Sequence, residues 1–254
     1  KTRGFDKTRH SKAANRVVGL SRVGASEYRP GIVHRLDKNT TGCIVVAKSD
    51  EAHWQLARQF ERRLPVKAYL AVVHGELDGP GGAVDQPIGK HPTIREAFAV
   101  RHDHLGKDSV TLYRVRERFR GYCLVELELK TGRTHQIRVH LSYLGHPIVG
   151  DVLYGGEPIG QREMNKPPLA AAHRRYSTFV RDKEEGKRIV ALSNARDDLL
   201  IAHPALHAAF LQFTHPISKK TLTLTAPVHE PMCQLIQNLR KHPVPGTVAT
   251  EGYW

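Results

Sequence analysis

Two runs of strand-forming residues, the second clearly alternating, constrain this chain most. Residues 109–118 (SVTLYRVRER) and 122–130 (YCLVELELK) are rich in strand-forming side chains, and they meet across Arg120-Gly121. In the second run Leu124, Glu126 and Glu128 fall on one face and Val125, Leu127 and Leu129 on the other. A glycine in so short a connection supports a tight reversal. The pattern predicts an antiparallel pair, and the rest of the fold has to be built onto it.

The flanking segments supply further elements. Residues 43–48 (CIVVAK) form a β-branched run that predicts a buried strand. Ser49 and Asp50 can cap a helix in which Ala52, Leu56, Phe60 and Leu64 recur every four residues, with Pro65 closing it. Residues 67–74 (KAYLAVVH) predict the next strand, ended by Gly75, and residues 78–93 hold enough glycine and proline to predict a turn-rich connection. After the break at Thr131-Gly132-Arg133, Thr134 can cap a helix that runs to Leu144 and stops at Gly145, with Ile137, Leu141 and Leu144 on its inner face. Residues 155–203 are polar and weakly periodic and predict a surface excursion without chemistry. A hairpin follows over 206–213 and 221–226, turning at Pro216-Ile217-Ser218-Lys219, and then an amphipathic helix bearing Met232, Leu235, Ile236 and Leu239. Strands dominate without regular βα alternation, so the class is α+β, with a mixed, mostly antiparallel sheet and flanking helices.

Charge narrows the function. The 254 residues carry a net charge of +14, and Lys1, Arg3, Lys7, Arg9, Lys12, Arg16, Arg22 and Arg29 crowd into the first thirty residues against only Asp6 and Glu27. Residues 1–29 therefore predict an extended basic arm or an incomplete first part of the domain, 30–242 the folded domain, and 243–254 a tail. Such an excess favours polyanionic partners, nucleic acid first. No apolar run approaches the roughly 18 to 20 residues of a membrane span, and KTRGFDKTRH lacks an apolar signal core. Cys43, Cys123 and Cys233 are too scattered for a disulfide framework or a zinc ribbon, which points to a reducing cytoplasm. The 16 histidines form no HExxH motif, so no metal site is expected.

Three polar segments can carry chemistry. The first, His34-Arg35-Leu36-Asp37-Lys38-Asn39-Thr40-Thr41-Gly42, sets one carboxylate among cationic neighbours, a setting that keeps an aspartate ionised. It is equally the composition of an aspartate bonding its own turn. The second, from Lys130 through Arg133, His135, Gln136 and Arg138 to His140, is a glycine turn opening a helix. Arg133 lies near the positive helix end, where a phosphate is favoured, and Arg138 lies where it can be partly buried and in need of a carboxylate, for which Asp37 is the obvious candidate. A solvated basic helix face would use the same residues. In the third, Lys67 to Gly75, Tyr69 is either one more core aromatic or a flat face and phenol for a base.

Together these segments resemble the RluA-type family of pseudouridine synthases. HRLDKNTTG is similar to the family's catalytic-aspartate signature, with Thr41 where serine is usual; KAYLAVVHG resembles its tyrosine strand, and TGRTHQIRVHLSYLGHPIVGDVLYG its arginine motif and following turn. LHAAFLQFTHP and TLTLTAP extend the likeness toward the C-terminus. The resemblance implies an isomerase that detaches uracil from ribose C1′, turns it and rejoins it through C5, with no metal, nucleotide or redox cofactor. One carboxylate suffices, where a hydrolytic glycosidase generally uses two. It implies Asp37 as that carboxylate, Arg138 as the group pairing with it, and Tyr69 as the ring that stacks on the uracil and removes the C5 proton. His34, Arg35, Lys38, Thr40, Lys67, Arg133, His135 and Gln136 would contact the RNA, ribosomal or transfer, whose target uridine must leave its helix. A monomer in the cytoplasm is expected. Nothing in residues 1–30 resembles the Lys-Pro-Ala-Gly-like strand that commonly opens the family's catalytic domain, and no S4-type RNA-binding domain is visible. The competing reading is a catalytically idle RNA-binding protein or RNA chaperone on the same fold.

Overall fold

The central strand explains the architecture. In the computed structural model, which describes residues 19–21, 23, 30–160 and 199–244, β2 (Val66–His74) is buried on both faces from residue 68 onward. It pairs antiparallel with β7 (Tyr122–Leu129), and β7 pairs antiparallel with β6 (Val110–Phe119). The predicted hairpin is present. Phe119 faces Tyr122 across a two-residue loop, and Gly121 supplies the left-handed φ of 79° that this reversal needs. The full sheet runs β1-β10-β2-β7-β6-β3, with β11 also paired to β10. Here β1 is Thr41–Gly42, β3 Gly81–Asp85, β10 Leu206–Thr214 and β11 Thr221–Thr225. β1 joins β10 in parallel.

The chain divides into two compact units. The smaller comprises Lys1–Leu36, Cys43–Val66 and Leu211–Leu224, and the larger Asp37–Gly42, Lys67–Phe210 and Thr225–Trp254. In the smaller unit, α1 (Asp50–Glu61) starts where expected, with the Ser49 hydroxyl accepting from the Ala52 amide. Ala52 and Leu56 join Ala47, Leu211 and Phe213 in its core. Leu64 does not: the helix ends at Glu61, Arg63 turns to φ 57°, and Leu64 is left exposed. Residues 43–48 are not a buried strand either. They run extended with a single bridge, Ile32 to Val46, and only alternate side chains face the core, so Ile44 and Val46 are exposed. β-branching favoured a strand, but this stretch has a core on one side only.

In the larger unit the Gly- and Pro-rich segment 78–93 is more ordered than a turn-rich connection. It holds β3, paired with β6, and β4 (Ile88–Lys90), paired with β5 (Phe98–Val100). Glycine is compatible with β3 because that strand ends the sheet path and Tyr113 packs where the Gly81 and Gly82 side chains would stand. α2 (Gln136–Tyr143) is buried at every position but Tyr143 and stops before Gly145, φ 82°. α3 (Glu230–Leu239) buries the predicted quartet Met232, Leu235, Ile236 and Leu239. From the expected 155–203 excursion, β8 (Ile159–Gly160) and β9 (Leu199–Ile201) pair with each other, and 161–198 lie outside the described residues. The same holds for most of the basic arm and for 245–254. Ser21, within the arm, is buried: its amide donates to Ala47 O and its hydroxyl to Asp50. Among the described residues no helix is long and apolar enough to cross a membrane.

Two stability predictions follow from single positions. Gly42 has φ 110°, and a Cβ there would collide with the carbonyl oxygen of Ala208, its partner across β1 and β10. Gly42→Ala should lose about 2 to 3 kcal/mol from strain and displaced pairing. Gly132, which has ordinary φ and only Lys67 Nζ near its missing Cβ, should accept alanine within about 0.5 kcal/mol. Urea melts of both variants test this, and equal midpoints would refute the Gly42 argument. His74 is the second position. Burial pulls its pKa down to about 4, against one hydrogen bond to the Glu157 carbonyl. An unfolded chain takes up that proton near pH 6.5 and the folded chain does not, so stability is present above 6.5 and fades as pH falls toward 4. The component approaches about 3 kcal/mol. His74→Gln should flatten the melting temperature between pH 7 and pH 5 relative to wild type; an unchanged slope would mean His74 does not titrate in this way.

Candidate active site

Asp37 sits on a turn whose shape its own sequence explains. The Thr40 amide donates to Asp37 O at 3.0 Å, and Asn39 takes the left-handed φ of 69°, a conformation asparagine tolerates better than most residues. The Asn39 amide lies 3.2 Å from His203 Nδ1. Two residues on, the Thr41 hydroxyl meets Nδ1 of the buried His207 at 2.7 Å, and His207 Nε2 donates to Ala226 O. That donation leaves Nδ1 of neutral His207 as an acceptor for Thr41. The turn is thereby tied to β10 immediately after the carboxylate.

Arg138 comes from the first turn of α2 and is buried, as expected, but its main partner was not foreseen. Nε and Nη2 donate to the two oxygens of Asp151, each at 2.7 Å, while Nη1 lies 3.9 Å from Asp37 Oδ2. The Asp151 side chain is 1 % exposed and that of Asp37 19 %. Tyr154, one short helical turn after Asp151, lays its ring 4.7 Å from the Arg138 guanidinium carbon. The Tyr154 hydroxyl accepts from the Phe98 amide at 3.0 Å and lies 2.7 Å from His135 Nδ1. Burial pushes this phenol upward, so it stays protonated and can donate to that nitrogen. Full burial also pushes the Asp151 carboxyl upward, opposed by the two bonds and the charge of Arg138. Burial works against the charge on Arg138, but the bonds to Asp151 together with the charges of Asp151, Tyr154 and Asp37 outweigh it and raise its pKa.

The remaining predicted residues divide. Tyr69 lies on β2 opposite Leu127 and is 8 % exposed. Lys67, at the start of the same strand, brings Nζ over Gly132 of the arginine turn. Arg133 is half-buried and donates from Nε to Asp108 O, and His135, not Thr134, precedes α2, in a left-handed conformation. Thr134 falls inside the turn closed by the Gln136 amide donating to Arg133 O. Gln136 cannot reach RNA. It is 2 % exposed, accepts from Thr131 and the Arg133 amide, and donates to Val110 O and Thr111; it shapes the turn. Arg35 and Lys38 are exposed and Thr40 half-buried. His34, in the smaller unit, accepts from the Val45 amide and stacks on Phe60 at 4.3 Å. Among the described residues no group of three His, Cys, Asp or Glu could hold a metal ion.

Sequence reasoning missed Asp151 and Tyr154, although a signal was there. In GHPIVGDVLYG the aspartate is the only charged side chain apart from the histidine, set among apolar neighbours and glycines. A carboxylate buried in such a run needs a cation.

The structure thus brings together two of the residues the motifs singled out, an aspartate on a tied turn and a buried arginine from a glycine turn, and comparison with known proteins gives the family. The family model described as RNA pseudouridylate synthase matches residues 2–143, starting inside the basic arm. Ribosomal large subunit pseudouridine synthase D of Vibrio parahaemolyticus is 42 % identical over 213 residues, and that of Escherichia coli K12 41 % over 212. The Xanthomonas campestris protein of the same name is 43 % identical over 217 residues. These alignments cover 84 to 85 % of this chain but only 56 to 57 % of the relatives, so the chain spans little more than half their length. Two solved structures share the fold. Human RNA pseudouridylate synthase domain containing 4 aligns with a TM-score of 0.59 at 23 % identity over 91 % of this chain and 95 % of its own. Domain containing 1 aligns with a TM-score of 0.52 at 24 % identity, over 84 % and 81 %. By its motifs, its site and the family match over more than half its length, this chain belongs to the RNA pseudouridylate synthase family.

Proposed function

We propose that this chain isomerises uridine to pseudouridine in large-subunit ribosomal RNA, with Asp37 as the reacting carboxylate. The observation that carries the proposal is the ion pair of Asp37 with a buried Arg138 that is itself locked by Asp151. That arrangement presents one accessible carboxylate to a substrate and holds a fixed positive charge behind it. In the reaction the N1–C1′ bond breaks, the freed uracil turns, C5 bonds to C1′, and the proton on C5 leaves as N1 gains one. Atoms balance without water or an external reagent. Tyr69 provides the ring against the uracil and the phenol for the C5 proton. Arg35, Lys38, Thr40, Lys67, Arg133 and His135, with His34, contact the RNA, and Gln136 acts behind them by holding the arginine turn. The names of the relatives support ribosomal RNA as the substrate class.

The test is direct. Unmodified large-subunit ribosomal RNA is incubated with the purified chain, and pseudouridine is mapped by carbodiimide labelling and primer extension. Stops at one or a few defined uridines are expected. Tight RNA binding with no stop at any uridine would overturn the proposal in favour of an idle RNA-binding protein. Binding should also be steep in salt, because +14 of net charge releases counterions from phosphates: affinity should fall on the order of a hundredfold from about 50 to about 200 mM salt. A flat titration would contradict an electrostatic interface.

A further inference from the structure

We infer that Asp151 is a positioning residue for Asp37, acting through Arg138. The inference rests on Asp37 being the reacting carboxylate. A guanidinium between two carboxylates can pair in its plane with only one through a given edge. Here Asp151 takes the Nε–Nη2 edge with two bonds of 2.7 Å. Asp37 faces the remaining Nη1 at 3.9 Å, close enough for ionic attraction and too far for a hydrogen bond from it. Asp151 thus keeps the arginine from closing on Asp37. The burial order agrees: the fully buried carboxylate anchors and the partly open one faces the solvent side.

The anchor itself is rigid. The Asp151 amide donates to Ile148 O, and its carbonyl accepts from the Tyr154 and Gly156 amides. Gly150 and Gly156 stand where a Cβ would strike the carbonyls of His203 and Ile148, so the turn can form only with glycine on both sides. Tyr154, carried by the same turn and pinned by Phe98 and His135, covers one face of the guanidinium. Among the described residues the charged and titratable groups around Asp151 are Arg138, Asp37, Tyr154 and His135, and of these Arg138 bonds its carboxylate.

The experiment is single-turnover pseudouridine formation as a function of pH with wild type, Asp151→Asn, Arg138→Lys and the double variant. Asp151→Asn removes the competing charge, so Arg138 should close on Asp37. The plateau rate should fall at least about tenfold with KM within about threefold, and the acid limb of the rate profile should move to lower pH. A merely structural ion pair would not move that limb. In the Arg138→Lys background the Asn substitution should add less than about threefold, because its effect passes through the guanidinium. An acid limb unmoved in Asp151→Asn, or full additivity in the double variant, overturns the inference. Should Asp151→Asn fail to fold, Asp151→Glu carries the test: its longer arm cannot keep both bonds with Arg138 in place, and a folded Glu variant with wild-type rate overturns the inference. An inactive wild type would instead refute the isomerase proposal itself.

Discussion

Asp37→Asn should abolish pseudouridine formation while leaving RNA affinity within a few fold. The amide keeps the shape of the side chain but carries no charge, and a reaction that relies on one carboxylate has no substitute for it. The turn should survive, because Asp37 contributes its backbone carbonyl, not its side chain, to the bond from Thr40. The neighbouring tie between Thr41 and His207 is also untouched. Loss of at least about a thousandfold is expected. Labelled primer extension on RNA treated with the Asn variant decides it, and normal stops would remove Asp37 from the chemistry.

Arg138→Ala should be the most damaging change to stability. It strands Asp151, 1 % exposed, without the cation that makes its charge tolerable, and breaking such a buried pair costs about 3 to 5 kcal/mol. The pH dependence has a definite sign. With Arg138 gone, the opposing pull on Asp151 disappears and burial alone pushes its carboxyl upward. A carboxyl raised in the fold stabilises below its unfolded value near 4, and that stability is lost as pH rises through the folded value. The deficit relative to wild type should therefore be greatest at pH 7 and narrow toward pH 4. Both proteins share the acid sensitivity of His74, so the difference between their urea melts isolates Asp151. Arg138→Lys keeps a charge but not the planar fork, and should retain more stability than activity. A deficit that does not narrow on acidification would place the lost energy somewhere other than Asp151.

Much of this protein was determined by local sequence. Periodicity located the hairpin across Arg120-Gly121, the strand bearing Tyr69 and the helix of Met232, Leu235, Ile236 and Leu239, because alternation and helical spacing report which side chains must face inward. The composition of the polar segments put Asp37 on a loop and Arg138 one turn into a helix, where it can be partly buried. Such local reading failed where a segment's surroundings, rather than its own residues, set the outcome. The run CIVVAK looked like a buried strand but has a core on one side only, leaving Ile44 and Val46 exposed. The glycines of 78–93 looked like a loop, yet the pairing available along β6 orders them. Tertiary structure alone decided which carboxylate owns Arg138. Sequence points to Asp37 as the obvious partner and passes over Asp151, because charge says nothing about distance. Folding brings the 148–156 turn against α2 and buries Asp151 completely, and a buried carboxylate claims the two strongest bonds of the arginine. Asp37 receives what remains, a charge at 3.9 Å.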